Sequence, residues 1–144
     1  MTIELCLSII GAVTGVIGTA IGISGIMHNR FLAVSQYMEA LEEKDFIDAR
    51  ARIYNWTANQ PIPIDNKDAS IIVNFFHHWG LLAKKHYLPL WVFDSGSGSG
   101  VIRLYDLTKG YIMERRSVHQ DSMYANNFEW LYHELNQRRI RKRW

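Results

Sequence analysis

Six histidines, one cysteine and 14 carboxylates are the groups in this 144-residue chain that could ligate a metal or move a proton. His77 and His78 are adjacent, so on a helix their side chains diverge by about 100° and cannot form the i, i+4 pair of a zinc-binding helix. His86 lies too far along and no cysteine joins them, which points to histidines tucked at a helix interface. Cys6 falls in an apolar run and, being the single cysteine, excludes an intrachain disulfide. No serine sits in a nucleophile-elbow pattern. Arg103 with Asp106 and Glu129 with His133 are ordinary helical neighbours, at spacings of 3 and 4. Asn74, His77, Arg103, Arg115 and Glu129 could line a polar pocket, although such residues more often satisfy one another. No catalytic residue, no cofactor site and no metal site is expected, and the chain reads as non-enzymatic.

Two patterns speak of binding instead. Gly11, Gly15, Gly18, Gly22 and Gly25 follow one another at spacings of 4, 3, 4 and 3, and Ser8 extends the series one step earlier. This is a heptad seam of the smallest residues, with Ile9, Val13, Val16, Ile17, Ile21 and Ile23 on the other faces. In lipid, where helices gain nothing by burying apolar surface, missing side chains permit close backbone approach and so favour association. The seam therefore predicts self-association, or docking on another membrane helix, with a shallow left-handed crossing. The second pattern is the basic cluster Arg138, Arg139, Arg141, Lys142 and Arg143, closed by Trp144. Without these five cations the chain holds 11 basic and 14 acidic residues, so its excess positive charge is confined to this stretch. Near a membrane each cation contributes about 1 kcal/mol toward anionic head groups. Nucleic-acid phosphates would attract the same charges, and a solvated helix end whose cations complement the macrodipole is the plainer alternative.

The element that must carry the seam is the run from Leu5 to Met27, 23 residues without a charged side chain. As a helix it extends roughly 34 Å, enough to cross a hydrocarbon core of about 30 Å. A cleaved signal is disfavoured, because Met1-Thr2-Ile3-Glu4 lacks a basic n-region and the apolar stretch is too long. The expectation is a retained single-pass anchor over residues 1–28. Glu4 precedes the run while His28, Arg30 and Lys44 follow it, which places the remainder in the cytoplasm at the inner (cytoplasmic) membrane.

Residues 29–137 read as a small helical bundle, followed by the basic tail 138–144; the fold class is all-α. Phe31, Val34, Met38 and Leu41 recur at helical spacing, and a second helix over Lys44 to Ala58 turns Phe46, Ala49, Ile53 and Trp56 inward, leaving Asp48, Arg50 and Arg52 solvated. Pro61 and Pro63 interrupt the pattern. Asp65 or Asp68 would cap a third helix with Ile72, Phe75, Phe76, Trp79 and Leu82 on its inner face, and Gly80 within it marks a close helix contact. A short helix carrying Leu90, Trp91 and Phe93 follows Pro89. Ser95 to Gly100 alternates serine and glycine, as a flexible native loop or an engineered linker does. Val101 to Arg116 offers Leu104, Tyr105, Leu107, Tyr111 and Ile112 to the core. Asp121 or Ser122 would cap the last helix, with Tyr124, Phe128, Leu131, Tyr132 and Leu135 inward.

Ile72-Val73-Asn74-Phe75-Phe76, Gly80-Leu81-Leu82, Glu114-Arg115-Arg116 and Phe128-Glu129-Trp130-Leu131 together resemble a family of small bacterial single-pass membrane proteins with a helical cytoplasmic domain of unknown function. The resemblance covers roughly residues 28–137 and rests on short motifs. It implies an anchored helical bundle and brings no catalytic residues with it. The functional expectation is a membrane-anchored module that binds a partner or self-assembles, its partners being membrane lipid and either a second copy or another membrane protein. A pore-forming protein of phage or defence origin and a membrane-tethered nucleic-acid binder are the alternatives.

Overall fold

The protein is described here by a computed structural model covering residues 2–55, 64–94 and 99–141, and for residues 2–13, 16, 17, 20 and 23 by the backbone alone. The described residues hold no strand and form α1 (Thr2–Leu41), α2 (Lys44–Asn55), α3 (Asn66–Lys84), a 3-10 turn (Leu90–Asp94), α4 (Ser99–His119) and α5 (Asn126–Arg141), joined by short connections. The all-α expectation holds.

α3 is the central helix and packs against α2, α4 and α5. Its start is capped as the sequence requires: the Asp65 side chain accepts from the Lys67 amide at 2.9 Å. Ile72, Val73, Phe76 and Trp79 are buried along it, with Phe75 and Leu82 half-buried. Phe46 of α2 stacks on Phe75 at 4.0 Å, and Phe76 stacks on Phe128 of α5 at 5.0 Å. The contact marked by Gly80 is direct. A Cβ at that position would lie 2.6 Å from the Asn127 carbonyl oxygen, so only glycine lets the backbone of α5 come this close.

Tyr111 of α4 meets both Ser70 at the start of α3 and Tyr124 just before α5. At the other end Tyr105 stacks on Tyr132 at 4.3 Å. α3 and α5 thus run in the same direction with α4 reversed between them. One end of the bundle gathers the finish of α3, the 3-10 turn, the start of α4 and the finish of α5, which itself touches the 3-10 turn.

Among the described residues of α1, those that join this core lie in its last turns. Tyr37 is buried, with its ring 5.2 Å from Trp79 and 5.0 Å from Phe93. Ala33, Val34, Ala40 and Leu41 pack around it. Here the expected stripe is displaced: Phe31 and Met38 are 70% and 40% exposed. Phe31 lies a turn beyond the bundle, and the inward face is rotated by one residue, so Tyr37 takes the position expected of Met38. Trp91 is also outward, 60% exposed, because three residues per turn bring Val92 and Phe93 inward instead. The last helix starts at Asn126, one turn later than expected. Asp121 accepts from the Met123 amide at 2.9 Å and so caps a preceding turn, which Ala125 at φ 59 separates from α5.

Trp56, Pro61, Pro63 and most of the serine-glycine run lie outside the described residues, while Ser99 and Gly100 open α4. Among the described residues no helix is long and apolar enough to cross a membrane. Many side chains of the expected span 5–27 lie outside them, though its backbone is helical throughout.

Candidate functional site

α1 extends about 60 Å at the usual rise per residue, and its described residues from Thr14 to Arg30 are all exposed. Within this stretch Gly15, Gly18, Gly22 and Gly25 form an open seam: a Cβ added at any of them would meet nothing within 4 Å. The side chain of Ser8 and the surroundings of Gly11 lie outside the described residues. Thr19 does not spoil the apolar character of the helix, since its hydroxyl donates to the Gly15 carbonyl at 2.8 Å and is satisfied without water.

The basic cluster has a definite place. Arg138, Arg139 and Arg141 belong to the last turn of α5, where Arg138 is half-buried and the other two are exposed. Lys142 and Arg143 lie outside the described residues.

The polar residues grouped in the sequence as one possible pocket are distributed over several sites. Glu129 accepts from Arg116 Nη2 at 2.8 Å and from the Tyr105 hydroxyl at 3.2 Å, while Arg116 Nε donates to the Tyr124 carbonyl at 3.0 Å. The Arg116 guanidinium holds the Glu129 carboxyl below the usual range. Burial, then the Glu129 charge, pushes the Tyr105 phenol up to about 12. This network ties α4 to α5 and consumes its own polar atoms. Arg103 lies over the Tyr54 ring and Arg115 over the Tyr111 ring, so neither reaches Glu129 as a ligand partner.

Asn74 and His77 do share a cleft of about 290 Å³, with Val73, Asp121, Met123, Tyr124 and Ala125. His77 Nε2 lies 3.3 Å from Asn127 Nδ2, and its Nδ1 is buried with no partner among the described residues. Burial, then the neighbouring His78, lowers its pKa. Among the described residues no three His, Cys, Asp or Glu side chains gather as a metal site.

One ion pair was not legible from spacing. Arg52, expected in solvent, makes a two-pronged bond at 2.7 Å through each nitrogen to Asp68, whose side chain is 4% exposed. The signal available was only that Asp68 sits one residue before the apolar face of α3.

No protein-family model matches the chain, and no curated protein or solved structure is significantly similar to it.

Proposed function

We propose that the chain is a membrane-anchored assembly module: the first part of α1 spans the inner membrane, its glycine seam pairs with a second copy, and the cytoplasmic bundle is carried beneath as the partner-binding unit. The observation that supports this reading is the long projection of α1, uncharged from Leu5 to Met27 and with exposed residues Ile21, Ile26 and Met27 at 59 to 68% accessibility. In water, the four glycines of the open seam, Gly15, Gly18, Gly22 and Gly25, cost about 1 kcal/mol each relative to alanine, with no packing to offset them. In a bilayer the same helix is favoured, because every backbone group must be bonded internally. The polar network of Arg116, Glu129 and Tyr105 serves the bundle's own cohesion. The family resemblance at Ile72–Phe76 and Phe128–Leu131 accords with an anchored bundle.

The test is crosslinking of the full chain in native membranes, comparing the wild type with Gly15→Ile and Gly22→Ile. The double variant is expected to lose the dimer-sized product while remaining in the membrane. Unchanged association would remove the seam from the account. Toxicity on expression that depends on the same glycines would favour the pore-forming alternative.

A further inference from the structure

We propose that the end of the bundle where α1 emerges docks onto an anionic phospholipid surface, with Lys84, Lys85, Arg138, Arg139 and Arg141 at the head-group phosphates and Tyr87 and Trp91 in the interfacial layer. The inference rests on the anchored reading of α1 and names the lipid chemistry that the bundle itself selects.

The cations come from two separate elements that the fold brings to one end. α3 and α5 run in the same direction and touch at Phe76–Phe128 through their rings and at Gly80–Asn127 through the backbone. Further along the two helices Ala83 and Leu135 are both buried. Cations follow them on each helix. On α3 these are Lys84 and Lys85, both exposed, and on α5 they are Arg138, Arg139 and Arg141. α3 ends abruptly with His86 at φ 63 and the Tyr87 amide bonded back to the Leu82 carbonyl at 2.9 Å. That turn leaves Tyr87 61% exposed beside the 3-10 turn, whose Trp91 is 60% exposed. Between residues 84 and 94 the single acid is Asp94.

α1 leaves the bundle at this same end, because Tyr37 rests on Trp79 in the last turns of α3 and on Phe93 in the 3-10 turn. Ala33, the first described residue packed on the core, lies six residue steps beyond Met27, the end of the uncharged run. That is about 9 Å of helix, close to the Debye length of about 8 Å at physiological salt. The cations therefore lie within range of the head groups whenever α1 is inserted. Exposed Tyr and Trp at this depth suit the interface, where an amphipathic ring is favoured. A nucleic acid would need the same face free of the membrane that α1 enters.

The experiment uses the full chain with Cys6→Ser and a single environment-sensitive fluorophore at Ile140→Cys, a residue 60% exposed beside Arg139 and Arg141. A second preparation carries the label at Met113→Cys, 49% exposed and nearly two turns past Leu107 on α4 toward the opposite end. Each is reconstituted into phosphatidylcholine vesicles, alone or with about one third phosphatidylglycerol. The label at 140 is expected to shift to the blue and become protected from acrylamide only with phosphatidylglycerol, whereas the label at 113 stays water-exposed. Raising salt from about 0.1 M to about 0.5 M should reverse the shift. Lys84→Gln with Lys85→Gln should weaken the docking equilibrium about thirtyfold, near fivefold for each cation. Carbonate washing of the same vesicles separates the two claims. A chain that resists washing but keeps the label at 140 exposed in both lipids overturns docking alone. A chain that washes off overturns the anchor and docking together. Equal protection in neutral vesicles, or salt-sensitive capture of an oligonucleotide by the same cations with no protection by lipid, would also overturn the proposal.

Discussion

Gly80 and Gly110 offer a direct measure of how closely α3 and α5 are packed. Both are interior helix glycines, so alanine should gain each about 1 kcal/mol of helix propensity. Around Gly110 a Cβ meets nothing within 4 Å, and Gly110→Ala should be stabilising by that full amount. At Gly80 the added carbon would lie 2.6 Å from the Asn127 carbonyl oxygen and 3.0 Å from its carbonyl carbon. These are backbone atoms of a helix whose Phe128 and Leu131 are fully buried, so relief requires moving α5 by several tenths of an ångström off its core contacts. Overpacking of this kind costs about 1–3 kcal/mol, which cancels or outweighs the propensity gain. The two variants should therefore differ by about 1–3 kcal/mol in opposite senses around the wild type, or roughly 4–12 °C in Tm at this chain length. Chemical denaturation of the detergent-solubilised chain, followed by near-ultraviolet circular dichroism of its aromatic core, reads the difference. Equal stabilisation by both alanines would refute the close contact of α3 with α5 at Gly80.

Glu129 should make stability depend on acid. Its folded pKa lies below the unfolded value of about 4.3, so its contribution is complete above that value and is lost as pH falls through the depressed folded one. Glu129→Gln should cost about 1 kcal/mol at neutral pH, a partly exposed pair being screened, and should flatten the acid limb of the stability–pH profile. Arg52→Met should destabilise the bundle by leaving the Asp68 carboxylate buried without its cation, and the double variant with Asp68→Leu should recover part of the loss. Denaturation midpoints of the three proteins check that ordering.

The bundle's inner faces were legible wherever one helix met the core along its whole length. Phe46, Ala49 and Ile53 on α2, and Ile72, Phe76 and Trp79 on α3, follow the helical period because each has a continuous apolar neighbour. Gly80 was legible for a related reason, since a glycine kept within a helix signals a backbone approach. The period misled at Phe31, because α1 continues past the edge of the bundle where no protein buries an apolar side chain, and at Met38, because the inward face is rotated by one residue onto Tyr37. Trp91 escaped for a geometric reason, as a 3-10 turn does not share the α-helical repeat. The ion pair of Arg52 with Asp68 and the network of Arg116, Glu129 and Tyr105 join residues from different helices, and no spacing within one helix encodes such pairings. The basic end of the molecule was half legible: Arg138, Arg139 and Arg141 cluster in the sequence, but Lys84 and Lys85 join them only through the parallel course of α3 and α5.

The most direct measurement concerns the environment of α1. The full chain, expressed without cleavage, is fractionated from membranes by alkaline carbonate and then by detergent. The account predicts that it stays with the pellet through carbonate and is released, intact, only by detergent. A full-length, stable monomer recovered in plain buffer without lipid or detergent would contradict it.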